Sequence, residues 1–393
     1  MITGSTVAVT AQAVMTPLGT LLAAAALGYA LLAWAAVLLW RNSSGGRGLG
    51  RGAPPRLLPV TVLKPLCGAE PGLDRSLRSL CRQDYPAGMQ IVFGVQQPSD
   101  PVLAVLEQLK RDYPRLDLTV VVDATRHGAS AKVSNLINMI RAARHDWLVL
   151  ADSDVSVPPG YLSQVAAPLA DPQVGIVTCP YRGVPRPGLW SLLGALFIND
   201  WFIPSVRVAA LFGSRAFAFG ATIAMRRDAL EAIGGFPAIA DQLADDYRLG
   251  ELTRQLGLRT VLSDVVVDTS VDERSLKQLA QHGLRWLRTI RVVRPAGYAC
   301  SGITFALPMA AIGCALAGGT PASLSLLAAT IVLRLMLHWT VQPPARSWSR
   351  AWAIPLADAL GFALWCGAFV TREVQWRQGR YRVARDGSVQ PIY

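Results

Sequence analysis

Apolar residues in this chain fall into two kinds of stretch, long unbroken runs and short strand-length ones. Nearly uncharged runs occupy 16–40, 299–317, 321–341 and 352–370, each close to the roughly 20 residues needed to cross a bilayer's hydrocarbon core. Between residues 59 and 155 the pattern changes. Brief apolar runs predict strands at 59–64, 89–96, 117–123 and 147–151, and they alternate with segments of helical period at 73–83, 101–112 and 131–144. Leu73, Leu77, Leu80 and Cys81 share one helical face; Val102, Val105, Leu106 and Leu109 repeat the spacing. Alternation of this kind is the pattern of an α/β domain built on a parallel sheet.

The strand predicted at Trp147 to Ala151 ends abruptly in Asp152-Ser-Asp154. In open α/β sheets ligands bind outside the carboxyl ends of the strands. Alternate residues of an extended segment point the same way, so the two carboxylates are placed to share one hard divalent cation. The plainer alternative is an Asp-rich turn ahead of a helix begun by Pro158-Pro159. Two more loops, Lys64-Pro-Leu-Cys-Gly68 and Gln96-Gln-Pro-Ser-Asp100, close strands at the same predicted edge.

Composition then places this domain beside a membrane. The chain has 393 residues, 52% of them hydrophobic and 16% charged, with a net charge of +12, which is too apolar for an ordinary soluble enzyme. The excess of basic residues lacks any nucleic-acid-binding motif, and many of them flank apolar runs, so nucleic acid is excluded as a partner in favour of membrane lipids and a phosphorylated substrate. Residues 1–40 read as an uncleaved anchor. Arg41, Arg47, Arg51 and Arg56 in the Gly/Pro-rich linker 41–58 put that side in the cytoplasm. Residues 187–213 are apolar but interrupted by Asn199, Asp200, Pro204 and Arg207, which predicts an interfacial helix pair; a buried core helix is the alternative. If all three segments of 299–371 spanned, the arginine-rich tail 372–393 would lie outside, so one of them is expected to be re-entrant or interfacial. The six cysteines show no CxxC pairing and read as reduced and mostly buried.

Several motifs together carry a resemblance. Lys64-Pro-Leu-x-Gly68, Val95-Gln96 with Asp100-Pro101, Lys132 with Asn135-Leu136, Asp152-Ser-Asp154, Gly234-Gly235, Ala244-Asp-Asp-Tyr247, Arg285-Trp286 and Trp376-Arg-x-Gly-Arg-Tyr-Arg382 resemble the ceramide glucosyltransferase family in order and spacing. Those are membrane-bound, inverting enzymes of the GT-A fold, a Rossmann-like nucleotide-diphospho-sugar transferase architecture, here implied for 59–298. Phe219 to Arg227 and Ile239 to Tyr247 are most similar to the family's bacterial branch associated with hopanoid biosynthesis. That implies a multi-pass protein of the bacterial inner membrane with a cytoplasmic catalytic domain. It also implies a UDP-sugar donor, N-acetylglucosamine favoured, and the hopanoid bacteriohopanetetrol as lipid acceptor.

By position, the resemblance implies that Asp100 helps hold the nucleotide and that Asp152 and Asp154 bind Mg2+ or Mn2+ on the diphosphate. Asp246 is the implied general base, with Arg285 beside the diphosphate and Trp286 as an aromatic floor. Lys64, Lys132, Asp245, His282 and Arg380 are further candidates for nucleotide-sugar contact. His282 stands where the family has Gln or Arg. Each has a plainer alternative: Asp245 and Asp246 as a solvated first-turn pair favouring a helix dipole, Arg285 as one of a headgroup-facing stripe, Trp286 as core, Lys64 as a strand-end charge. A ceramide glucosyltransferase using UDP-glucose is the rival within the family, and a processive polysaccharide synthase the rival from another class.

Overall fold

In the computed structural model the described residues are 4–44, 56–214, 217–341, 348–370, 373–376, 379–384 and 387–391. The chain divides into two compact units, one comprising Leu49–Val184, Ser214–Ser270 and Tyr381–Tyr393, the other Met1–Gly48, Pro185–Gly213 and Val271–Arg380.

The first unit is an α/β layer structure. Its strands are β1 (Val60–Leu66), β2 (Met89–Val95), β3 (Asp117–Val122), β4 (Trp147–Ala151), β5 (Val155–Ser156), β6 (Val174–Thr178), β7 (Tyr181–Pro185), β8 (Thr222–Arg226), β9 (Arg259–Leu262) and β10 (Val267–Val271). Seven form one sheet in the order β3-β2-β1-β4-β8-β6-β9, while β5, β10 and β7 make a small second sheet. Alternation along the strands explains why both faces are covered. Val60 and Val62 join a core with Leu73, Leu77, Leu80, Leu106 and Leu109. Leu63, Leu148 and Leu150 join the opposite core with Val133, Leu136 and Met225. Both faces of the sheet therefore bury apolar side chains, as helix-covered sheets do.

The four expected strands are present, and β1 pairs in parallel with β2 and β4. The sheet as a whole is mixed, because β8 runs antiparallel to both β4 and β6. A short apolar run has the same signature in either direction, so periodicity could not show this. The helix expected over 131–144 ends at Met139 and continues as a tighter turn over Ile140–Ala142.

The second unit is helical. Gln12–Asn42, Leu189–Leu211 and Pro321–Val341 are long and apolar enough to cross a membrane, and Pro295–Thr304 with Ala306–Leu316 form a pair bent by 72° that would make a fourth. The segment 352–370 contains a 14-residue helix, Ile354–Gly367. Where an interfacial helix pair was expected over 187–213, the structure has one continuous helical run with a wider turn at Phe197–Phe202. The polar residues need no break because they are buried among partners. The Asp200 carboxylate lies 2.5 Å from His338 Nδ1, and the Asp200 carbonyl accepts from Arg334 at 3.1 Å. Arg334 in turn makes a two-pronged pair with Asp358 at 2.6 and 2.8 Å. Small residues permit close backbone approach elsewhere: a Cβ on Gly19 would collide with the main chain of Gly313 and Ala317. All six cysteines are free, but only Cys81, Cys179 and Cys314 are buried, fewer than expected.

Removing one member of a buried ion pair strands the other charge, which typically costs about 3–5 kcal/mol, whereas replacing both by apolar residues is often neutral. Arg334→Met is therefore expected to lower the thermal unfolding temperature of the detergent-solubilised protein sharply, and Arg334→Met with Asp358→Leu to recover most of the loss.

Candidate active site

The Asp152 to Asp154 loop is held from beneath by main-chain contacts. Lys64 is fully buried, and its Nζ donates to the carbonyls of Asp152 at 2.7 Å and Val155 at 3.2 Å. The Ser76 hydroxyl donates to the carbonyls of Ser153 and Val155 at 2.8 and 2.5 Å. Burial pulls the Lys64 ammonium down to about 8 against the opposing pull of Asp154 and Asp152. In this structure Lys64 is thus a strut under the loop, with no surface left to offer a ligand. The Asp154 carboxylate accepts a hydrogen bond from the Thr269 hydroxyl, which ties it to the small sheet where Thr269 pairs with Val155.

Asp100 joins the other two loops of this edge. Its carboxylate accepts from the backbone N–H of Gly68 at 2.9 Å and of Val102 at 2.9 Å. One side chain therefore closes the end of β1 onto the turn after β2. Gly68 takes φ +76 there, a conformation that costs glycine little.

Above this frame four charged groups converge. Lys132 Nζ lies 2.7 Å from Asp152 and 3.4 Å from Asp245. It extends from a helix, Ala131–Met139, whose start is capped by the Ser130 hydroxyl accepting from Val133 N–H, and which is fastened to β2 by the Asn135 amide donating to the Gly94 carbonyl. Asp245 and Asp246 open the helix Asp245–Gln255 as its first-turn acidic pair. The Asp246 carboxylate accepts from Gly220 N–H at 2.9 Å and Tyr247 N–H at 2.7 Å. Gly220 marks the centre: a Cβ placed on it would lie 3.3 Å from Asp246, 3.5 Å from Asp152 and 3.5 Å from Lys132 Nζ.

Three carboxylates around one ammonium leave an excess of negative charge, and burial together with that excess sets the titration shifts. Burial pushes the Asp246 carboxyl up to about 6, with the like charge of Asp245 adding to it. Asp152 is also raised, first by burial and then by Asp154 and Asp245 working against the Lys132 attraction. Burial works against the Lys132 charge, yet Asp152, Asp245 and Asp246 outweigh it and hold that ammonium above its usual range.

Among the described residues no group of three or more His, Cys, Asp or Glu side chains is arranged to hold a metal by itself. Asp152 nonetheless offers carboxylate oxygens in a site with surplus negative charge, open where Gly220 lacks a side chain, and Asp154 two residues on is a second acidic oxygen donor of the same loop. Small hard cations are commonly bound through one or two carboxylates, with substrate phosphate and water completing the shell. The residues present fit that mode.

His282, Arg285 and Trp286 belong to the helical unit, on the helix Leu276–Val293. His282 Nδ1 sits 2.7 Å from Glu273 Oε1, and the Trp286 ring packs against Phe202 at 5.0 Å and Phe197 at 5.9 Å. Arg380 lies in the strand Gly379–Val383, with its side chain outside the described residues. Two contributors went unread in the sequence. Thr269 carried no signal, and Gly220 showed only as the glycine of Phe219-Gly-Ala-Thr.

The chain is similar to known proteins in sequence and in fold. The profile described as Glycosyl transferase family 21 matches residues 18–389. Ceramide glucosyltransferase 1 of Caenorhabditis elegans is 24% identical over 211 residues, 53% of this chain and 45% of that protein. An N-acetylglucosaminyltransferase of Rhizobium meliloti is 27% identical over 247 residues, 60% of this chain and 56% of that one. The chain spans about half the length of these relatives. Among solved structures, a mannosyltransferase from Pyrobaculum calidifontis in complex with GDP-Man and Mn2+ has a TM-score of 0.51 at 25% identity, covering 87% of this chain and 99% of that one. The mixed sheet and its helices have the GT-A glycosyltransferase fold.

A methyl group on Gly220 would occupy the space between Asp246, Asp152 and Lys132. Gly220→Ala is expected to cut turnover by about a hundredfold, the scale of a small misplacement of reacting groups, while shifting the unfolding temperature little. Steady-state rates and a thermal melt on the same preparation check both.

Proposed function

Because the chain belongs to glycosyl transferase family 21, we propose that it transfers a sugar from a UDP-sugar to the hydroxyl of a membrane lipid, with inversion at the anomeric carbon. The observation that carries this reading is the meeting of Asp246, Asp152 and Lys132 around Gly220. A carboxylate able to accept a proton, beside a carboxylate and an ammonium that could meet a cation and a diphosphate, supports it.

In this reading the acceptor hydroxyl oxygen forms a bond to the anomeric carbon as the bond from that carbon to the β-phosphate oxygen breaks. The electron pair leaves with UDP, and the hydroxyl proton passes to a carboxylate oxygen of Asp246. General-base help of this kind typically contributes about a hundredfold to ten-thousandfold. The N–H groups of Gly220 and Tyr247 fix the Asp246 carboxylate for that transfer. Asp152 and Asp154 would hold a divalent cation, which when bound offsets the charge that builds on the departing diphosphate. Lys132 positions the Asp152 carboxylate and adds a positive charge at the same place.

We assign N-acetylglucosamine as the sugar and a hopanoid polyol, bacteriohopanetetrol, as the acceptor. Support comes from the branch-like segments Phe219 to Arg227 and Ile239 to Tyr247 and from the relative bearing the name N-acetylglucosaminyltransferase. Three helices long and apolar enough to cross a membrane suit an acceptor that stays in lipid, and a cytoplasmic catalytic unit in a bacterial inner membrane would meet activated sugars there. The rival is ceramide with UDP-glucose, favoured by the ceramide glucosyltransferase relatives.

Purified enzyme offered UDP-N-acetylglucosamine and UDP-glucose, each with bacteriohopanetetrol and with ceramide, decides between them by mass spectrometry of the product. The N-acetylglucosaminyl hopanoid is expected, with transfer stopped by a chelator; glucosylceramide alone would replace the assignment, and a sugar polymer would move the enzyme to the polysaccharide synthases.

Asp246 must be ionised to act. Since its folded-state value is raised to about 6, kcat/KM is expected to fall about tenfold per unit below that pH and to level off above it. Asp246→Asn should cut transfer by about a hundredfold to ten-thousandfold, leaving a small residual rate, while keeping UDP-sugar binding. It should also raise the unfolding temperature at pH 7, because a carboxylate whose folded value is raised destabilises the fold increasingly as pH rises from its unfolded value through that range.

A further inference from the structure

The helix that carries Asp246 has no side-chain cap of its own. Its leading residue is Ala244, which offers nothing to the first turn's N–H groups. The start of the helix, and with it the place of the carboxylate, therefore depends on what holds the preceding segment, residues 240–243.

Two elements grip that segment. From one direction comes the start of the Lys132 helix: Ser130 N–H donates to the Ala240 carbonyl at 2.9 Å, and Ala129 N–H to the Asp241 carboxylate at 2.8 Å. The other grip comes from the far end of the chain. Val383 pairs with Val389 in an antiparallel hairpin near the C-terminus, and both side chains are buried. The tip of this hairpin adds to the 240–243 segment as a short strand. Leu243 N–H donates to the Gly387 carbonyl at 3.1 Å, Val389 N–H donates to the Asp241 carbonyl at 2.9 Å, and Gln242 is bridged to Ser388. Gly387 takes φ +83, and a Cβ there would stand 3.0 Å from Gln242 Oε1, so the close approach is built for glycine.

We infer that the C-terminal hairpin tip, Gly387 to Val389, is a positioning element for the general base, setting the start of the Asp246 helix through main-chain hydrogen bonds to residues 241–243. The inference rests on the assignment of Asp246 as base. Its consequence is that a contact far from the reacting atoms, and more than a hundred residues later in the chain, acts on turnover and not on donor binding.

Val389→Pro removes the N–H that reaches Asp241, while Val389→Ala keeps it. Val389→Pro is expected to lower kcat by about tenfold or more, within the range that a small displacement of a catalytic group produces, with KM for the UDP-sugar within about twofold of the parent; Val389→Ala should stay near the parent. Gly387→Ala, which keeps every donor but strains the tip, serves as the second variant should Val389→Pro not fold, and the same split is expected of it. The decisive comparison is a double-mutant cycle with Asp246→Asn. If the hairpin works through the base, neither tip variant lowers the residual rate of Asp246→Asn any further. Unchanged kcat in the tip variants, a parallel loss of donor binding, or an equal fold-loss in both backgrounds overturns the inference while leaving the base assignment intact. Full activity of Asp246→Asn alone overturns that assignment, and this inference with it.

Discussion

Crowding of like charge is the constraint on which the catalytic unit depends. Asp152, Asp245 and Asp246 approach a single ammonium, Lys132, and carboxylates so placed repel one another and lose hydration. Such an arrangement persists only where the surrounding chain over-determines it. Here the determination is almost entirely main-chain: Lys64 and Ser76 grip the carbonyls under the Asp152 loop, Asp100 closes two neighbouring loops through their N–H groups, and Gly220 presents its own N–H to Asp246. The repulsion adds to burial in raising the Asp246 carboxyl and leaves surplus negative charge at the site.

The helical unit meets ionisable groups with the opposite solution. Asp200, His338, Arg334 and Asp358 are buried in apolar surroundings, and each faces an opposite or complementary partner. A charge in such a place is costly unless paired, so the four groups complete one another. Charge is compensated where it holds helices together and left in excess around Lys132. The widened turn at Phe197–Phe202 belongs to the same solution, since it lies where Asn199 and Asp200 turn inward.

Glycines and main-chain donors recur at each decisive place in the catalytic unit. Gly68, Gly220 and Gly387 stand where a backbone must come close to a carboxylate or to another loop. Side chains of ordinary identity then do specific work through position alone: Ser130 caps the helix of Lys132, Thr269 binds Asp154, and the uncapped Ala244 leaves the base helix to be placed by its neighbours.

What the sequence determined by itself was local and periodic. The strands near 60, 90, 118 and 147, the amphipathic faces of the intervening helices, the membrane-length runs at 16–40 and 321–341 and the acidic residues at strand ends were legible, because hydrophobic period and chain punctuation are properties of adjacent residues. The motif order also pointed to the right family. What only the tertiary structure decided was relational. The antiparallel course of β8, the burial of Lys64 beneath the loop, the continuity of the helix through Asn199 and Asp200, the role of Gly220 and the hairpin against residues 241–243 each depend on partners distant in the chain. A single residue's type does not say whether its charge, or its missing Cβ, will meet solvent or another segment; only the folded neighbours settle that.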